Sequence, residues 1–335
     1  MVSSSSRRRE EAYVEMVNEE DNNQQGSPED PRVDTVLVGL SGPSSSGKTT
    51  LARLLREIFN LDHAAEEGWK ISLFILHQDD FYKTDQDIPT VTISSKEFGT
   101  RELQDWDCID SLDLPLFEHT LTHLRNHGHL PPESVSKEDQ NSVGHSGVSP
   151  AEVDEHREKV RARIDELVRK RDSKGTESGT GKEIRIYIVE GFLLYPQPSS
   201  SSTSASSTSS DYPHSAAGLH HLHHLTHTLL HPLLFLPSTR TQTLTRRAAR
   251  SGYVTLEGFW VDPPGYVEDL VWPNYMRYHG WMYKDGNVDG DVFDEDSCER
   301  EGVQVCPGAG GWNMKQVLDW GVQRVEDVIK ERLQV

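Results

Sequence analysis

Long hydrophobic runs are missing from this sequence, cysteine is scarce, and basic residues are outnumbered. No apolar stretch approaches the roughly 18 residues that a bilayer-spanning helix needs, so a membrane protein of that kind is not expected. The three cysteines, Cys108, Cys298 and Cys306, are too few and too scattered for a disulfide framework or a four-thiolate zinc site. That usage fits a reducing compartment. Against 54 acidic residues stand 34 Lys and Arg, a formal net charge of −20. Nucleic acids and membrane surfaces are themselves anionic, so neither is an expected partner. Any anion site must be local and basic within an acidic chain. Arg7, Arg8 and Arg9 are followed at once by Glu10 and Glu11, unlike a transit peptide. A soluble, cytoplasmic protein, with access to the nucleus open, is the expectation.

Apolar content is also low, 34% of 335 residues, where about 45–50% with glycine included is usual. Part of the chain is therefore expected outside any core. Residues 1–33 read as a disordered tail, polar and without apolar periodicity. PQPSSSSTSASSTSS, 196–210, is low-complexity sequence, with a flexible linker continuing to about 218. A third polar stretch, about 131–182, encloses AEVDEHREKVRARIDELVRKR, which has helical spacing and alternating charge and reads as a solvated helix. Strand signals resume after each stretch. These are expected to be insertions, at about 131–182 and 196–218, into a single domain covering 34–335.

What is present is a set of short apolar runs without polar alternation: TVLVGL (35–40), ISLFILH (71–77), IRIYIVE (184–190), LLFLP (233–237) and the weaker GVQVC (302–306). Such runs suit strands buried on both faces of a parallel sheet. TTLARLLREIF (49–59) carries helical periodicity between the first two, completing a βαβ unit. MKQVLDWGVQRVEDVIKERL near the end has the same periodicity. The expected fold is α/β and three-layered, a mostly parallel sheet flanked by helices, with ligands beyond the carboxyl ends of the strands.

Directly after the first strand stands GPSSSGKT, matching G-x-x-x-x-G-K-[ST] between a strand and a helix. Gly42 and Gly47 let the backbone of Pro43, Ser44, Ser45 and Ser46 wrap phosphate oxygens, and the helix beginning near Thr50 adds its positive N-terminus. Lys48 can reach the outer phosphates, and the Thr49 hydroxyl can ligate Mg²⁺. This is a P-loop for a nucleoside triphosphate. Asp79 and Asp80 follow the second strand and Glu190 follows the third, all at the nucleotide end. They can hold Mg²⁺ or accept a proton from an attacking hydroxyl. Phe81, Tyr82 and Trp106 supply rings for a flat heterocycle, and Asp107 can accept hydrogen bonds from ribose hydroxyls. Aromatics favour a kinase over a triphosphatase, because water needs no aromatic pocket. TRRAAR places Arg246 and Arg250 four residues apart with Arg247 on another face, a solvated basic face or a lid over the transferring phosphate. HHLHHLTHTLLH, 220–231, has metal-ligand spacing but no acidic partner within the run, and reads as low-complexity sequence leading into a strand.

GLSGPSSSGKTTLA, QDDFYK, LQDWD, IVEGFLL, TRRAAR and DPPGYVEDLVWPNY, in this order, resemble the nicotinamide riboside kinases within the wider uridine kinase-like group of P-loop kinases, of a fungal type with insertions. The resemblance implies that Asp79 is the general base for the ribose 5′-hydroxyl and binds Mg²⁺ with Thr49. It implies that residues Asp79, Asp80, Phe81 and Tyr82 line a riboside pocket, with Trp106 and Asp107 contacting nicotinamide and ribose. Glu190 would be a further magnesium or catalytic contact. Arg246 would touch the triphosphate, Arg247 the substrate, and Tyr253 would be an aromatic near the substrate. The implied reaction joins ATP and nicotinamide riboside, or nicotinic acid riboside, in a salvage step toward NAD. The neighbouring alternative is a uridine or cytidine kinase; a non-catalytic nucleotide-binding regulator would be expected to have lost Lys48, Thr49 or Asp79, and all three are present.

Overall fold

The computed structural model describes residues 33–62, 69–136, 144–173, 182–197, 216–255 and 258–333. The expected tail, apart from Val33, and most of the serine-rich stretch lie outside the described residues. The five expected strands form: β1 (Val33–Ser41), β3 (Trp69–His77), β6 (Lys182–Gly191), β7 (Leu233–Phe235) and β10 (Val303–Val305). They run parallel in the order β10-β7-β1-β6-β3, and the two-residue β2 (Leu61–Asp62) is added antiparallel at the β3 edge. A strand covered on both faces sends alternate side chains into two different cores. β1 does this, with Val36, Val38 and Leu40 in one cluster and Leu37 in the other.

Helices α1 (Lys48–Phe59), α3 (Pro150–Ser173) and α8 (Met314–Leu333) cover the first face. The second is covered by α2 (Leu114–His127), α4 (Ala216–Leu229), α6 (Trp272–His279) and α7 (Glu295–Arg300). Two expectations about these helices are corrected. α3 is not a solvated helix: Val153, Val160, Ile164 and Val168 recur at spacings of seven, four and four residues and bury themselves in the first core. Several of its charged side chains reach the neighbouring helices: Arg163 pairs with Glu326 of α8 at 2.7 Å, and Arg157 donates to the Glu57 carbonyl of α1 at 3.0 Å. The histidine-rich run does lead into a strand, β7, but as a packed helix. It is α4, burying Leu222, Leu225 and Thr226, with the Thr226 hydroxyl donating to the Leu194 carbonyl at 2.8 Å.

A third, smaller cluster lies at the carboxyl ends of the strands. The hairpin β4 (Thr90–Ser95) and β5 (Gly99–Gln104) packs Val91, Ile93 and Leu103 on Tyr266, Val267, Leu270 and Val271. Arg101 fastens the two parts, donating to the Pro264 carbonyl at 2.6 Å and to Asp269 at 3.0 Å. The last two elements near these strand ends are the helix α5 (Arg240–Ala248) and the hairpin of β8 (Tyr253–Val254) with β9 (Phe259–Trp260). Among the described residues no helix is long and apolar enough to cross a membrane.

Candidate active site

Sheet register decides which side chains meet. Glu190 lies opposite Leu40 on one side and His77 on the other, so the phosphate loop after β1, the acids after β3 and the end of β6 converge. One cleft there is lined by Ser44, Ser45, Lys48, Thr49, Asp79, Tyr82, Trp106, Asp107, Glu190, Arg247, Arg250 and Tyr253, all singled out in the sequence. Phe192 and Trp260 line it too.

The loop has the conformation its glycines permit. A Cβ on Gly42 would run into the backbone carbonyl of Leu236, and Gly47, at φ 104°, enters α1 from the left-handed region. Lys48 is buried, and its ammonium donates to the Gly42 and Pro43 carbonyls at 3.0 Å each. Burial pulls its pKa down, against the opposing charges of Glu190 and Asp79. The hydroxyls of Ser45 and Ser46 are buried without a hydrogen-bond partner. Buried polar atoms without partners are rare, and here they sit where phosphate oxygens are expected.

The two central carboxylates differ. Glu190 Oε1 accepts from the Thr49 hydroxyl at 2.7 Å and contacts His77 Nδ1 at 2.7 Å. Burial would raise its pKa, but the His77 hydrogen bond, the charges of His77 and Lys48 and the Thr49 bond together bring it below the usual value. Asp79 moves the other way. Burial, followed by the negative charge of Glu190, pushes it up to about 6 against Lys48 and His77.

Rings close the other end. Tyr82 meets Trp106 edge-on with centroids 5.2 Å apart and stacks with Phe192 at 6.0 Å; Trp106 packs on Trp260 at 5.5 Å. Phe81 is placed elsewhere than the pocket: it packs edge-on against Phe117 in the second core, centroids 4.9 Å apart. Asp80 does not line the cleft either. The short 3₁₀ turn Gln78–Phe81 explains both, since successive residues on it face different directions. Pro43, Gly42, Ser46, Gly47 and Thr50 shape the loop without lining the cleft.

α5 is folded onto the phosphate loop. Arg246 donates to the carbonyls of Ser45 and Ser46 at 3.3 and 3.5 Å. Arg247 is buried, donating to both oxygens of Asp262 at 2.7 and 3.1 Å, to the Ser44 hydroxyl at 2.8 Å and to Asp107 at 3.5 Å. The guanidinium groups of Arg247 and Arg250 both lie over the Tyr253 ring, each 4.9 Å from its centroid. The TRRAAR run is therefore packed against the phosphate loop rather than presented as a solvated basic face.

Four positions that hold this site together carried no chemical signal in the sequence. Gln78 grips the main chain of Leu193, donating at 2.6 Å and accepting at 3.0 Å, and thereby ties QDDFYK to IVEGFLL. Asp262 is the main partner of Arg247 and accepts from the Trp260 indole at 2.9 Å. The Tyr266 hydroxyl accepts from the Trp106 amide and donates to the Gln104 carbonyl, both 3.0 Å. Asn274 donates to both oxygens of Asp105, at 3.0 and 2.9 Å. The block DPPGYVEDLVWPNY thus acts as a brace for LQDWD. Asp105 is fully buried, and burial pushes its pKa up to about 7 despite the Asn274 bond. Asn274→Ala is expected to destabilise the protein by about 1–3 kcal/mol in denaturant unfolding, because a buried acceptor loses its donor.

A phosphate loop at the carboxyl end of a central parallel strand, two acidic strand ends and an arginine helix closed on the loop define a P-loop kinase fold. No protein-family model matches the chain. It is 28% identical over 299 residues to a nicotinamide riboside kinase of Schizosaccharomyces pombe, covering 88% of this chain and 98% of the relative. Nicotinamide riboside kinases of Eremothecium gossypii (27%) and Saccharomyces cerevisiae (28%) match over 255 residues, 76% of this chain and 80% and 82% of theirs. Over most of its length the chain is thus similar to nicotinamide riboside kinases of three fungi.

Proposed function

We propose that this protein transfers the γ-phosphate of ATP to the 5′-hydroxyl of nicotinamide riboside, giving ADP and nicotinamide mononucleotide. The observation that carries the reading is that one cleft joins a phosphate loop to a carboxylate of raised pKa and a box of aromatic rings. Asp79 takes the 5′-hydroxyl proton as the ribose oxygen bonds to the γ-phosphorus and the bridging bond to ADP breaks. Lys48, Arg246 and Arg250 offset charge on the phosphates, and positioning supplies much of the remaining acceleration. Tyr82, Trp106, Phe192 and Trp260 enclose the pyridine ring. Asp107 and the Arg247–Asp262 pair bound the ribose. Tyr253, whose buried hydroxyl has no hydrogen-bond partner, adds a free phenol beside the arginines.

The donors suit Mg²⁺: the Thr49 hydroxyl and the carboxylates of Asp79 and Glu190 are hard oxygen ligands of the kind that ion takes. Bound between them and the triphosphate, it would neutralise charge on the β- and γ-phosphates.

The deciding experiment is ATP-dependent phosphorylation with nicotinamide riboside, nicotinic acid riboside, uridine and cytidine compared as acceptors. Acceptor-dependent turnover preferring the pyridine ribosides is the expected result; preference for uridine would transfer the protein to the neighbouring kinases. Trp106→Ala is expected to raise KM for the riboside about tenfold to hundredfold, since loss of an aromatic stacking surface costs about 1–3 kcal/mol, with KM for ATP little changed.

The pH profile has a stated sign. Asp79 must be ionised to act as a base, and its pKa lies at about 6. kcat/KM, which reports the free enzyme, is therefore expected to rise with pH through about 6 and level off above it. A limb at the ordinary carboxylate value near 4 would remove Asp79 from this role.

A further inference from the structure

We propose that His223, His227 and Glu301 form a binding site for a zinc-class transition-metal ion, separate from the nucleotide cleft. His223 and His227 stand one turn apart on α4, and Glu301 caps the C-terminus of α7 just before β10. The sequence run holds no acid of its own; the fold brings one to it. Glu301 Oε2 lies 3.7 Å from His223 Nε2 and 3.9 Å from His227 Nε2, and the three ligand atoms all fall within 4.8 Å of one another. Zinc bonds of about 2.0–2.2 Å hold tetrahedral ligands slightly closer than this, within reach of small side-chain rotations. None of the three residues lines the nucleotide cleft.

The tautomer is set for metal binding. His227 Nδ1 contacts the His223 carbonyl at 2.8 Å, and a carbonyl only accepts, so Nδ1 carries the proton. Ligating histidines characteristically donate their second nitrogen in this way, which fixes the ring and presents Nε2 as a lone pair. His227 Nε2 is buried without a hydrogen-bond partner, facing a carboxylate. Two acceptors, His227 Nε2 and a Glu301 carboxylate oxygen, are thus directed at one point. Two neutral nitrogens and one carboxylate make a zinc ligand set with one position open to water.

Bound there, the ion would join α4, which follows the serine-rich tract, to the α7–β10 turn. β10 pairs with β7, the strand that α4 leads into, so the ion would close a loop at the sheet edge. A ligand that binds only the folded state raises the unfolding temperature by mass action.

The test uses the untagged full-length chain, stripped with chelator and kept in excess Mg²⁺ to occupy the nucleotide end. Zn²⁺ is titrated against a competing chromophore, and Co²⁺ replaces it as a spectroscopic probe of coordination. Wild type is expected to take one tight equivalent, to show the visible absorption of four-coordinate Co²⁺ and to melt at higher temperature with Zn²⁺. The double variant His223→Ala/His227→Ala is expected to lose the band and the shift while still phosphorylating its acceptor. Glu301→Gln, whose side chain is partly exposed, gives an independent reading if the double variant folds poorly, with binding weaker by about tenfold or more. The proposal is overturned if wild type takes up no tight equivalent, or if both variants bind as wild type does. It is equally overturned if the load follows the other histidine group, on α2, where His123 and His127 have ring centroids 4.4 Å apart.

Discussion

Asp79→Asn is expected to lower kcat for riboside phosphorylation by about 10²–10⁴-fold, the usual contribution of a positioned general base, while ATP binding persists. The choice of Asp79 over Glu190 rests on how their surroundings divide them. Two carboxylates share the nucleotide end, and a site that pushes paired groups apart assigns their roles. Glu190 has one oxygen occupied by Thr49 and His77 and is stabilised as the anion. A carboxylate so engaged is a weak proton acceptor and a good fixed charge. Asp79 carries the burial cost without that compensation, and its pKa rises toward the pH at which a base works best. Asparagine matches the shape of aspartate but cannot accept the hydroxyl proton as a base. The loss should therefore appear in kcat, with KM for ATP changed little, and the limb near pH 6 should vanish with it. Retention of more than about a tenth of wild-type kcat would show that positioning and phosphate charge stabilisation suffice without this base.

Much of this site could be read in the sequence, for physical reasons that also mark where the reading failed. Strands buried on both faces leave continuous apolar runs, so β1, β3 and β6 were legible within two residues at either end. GPSSSGKT was legible because close backbone approach to phosphate demands glycine at fixed spacing. Phe81 was misplaced because adjacent residues in QDDF share a motif but not a direction; a 3₁₀ turn sends one ring to the core and its neighbour to the cleft. α3 was read as solvated because its charges outnumber its apolar residues, although four valines and isoleucines suffice for a buried stripe. Gln78, Asp262, Tyr266 and Asn274 act through contacts between segments far apart in the chain, and no local pattern announces such partners. The same holds for the histidines of α4, whose acid, Glu301, lies beyond β7 in the chain.

Arg247→Met is expected to cost about 3–5 kcal/mol of folding stability, the usual penalty when one member of a buried ion network is removed, and to abolish phosphoryl transfer. Arg247 has a side-chain exposure of only 7%, and it serves Asp262, Ser44 and Asp107 together. Methionine replaces the stem but leaves two carboxylates facing a low-dielectric cleft. Asp107 already feels burial as an upward pull on its pKa, with Arg247 the first opposing influence. Without the arginine only the charge of Lys48 opposes that pull, so the stability deficit should be largest where Asp107 is ionised and should shrink as the pH is lowered and it protonates. Adding Asp262→Asn should recover part of the loss, because the cost lies in the unpaired charge rather than in the missing bond. Arg247→Lys separates charge from shape: it keeps a cation, but a single ammonium cannot grip Asp262 with two donors while also reaching Ser44. Denaturant unfolding of wild type and the three variants at two pH values decides the matter. Equal midpoints for wild type and Arg247→Met would mean that the network contributes no net stability, and that α5 is held on the phosphate loop by Arg246 and by packing alone.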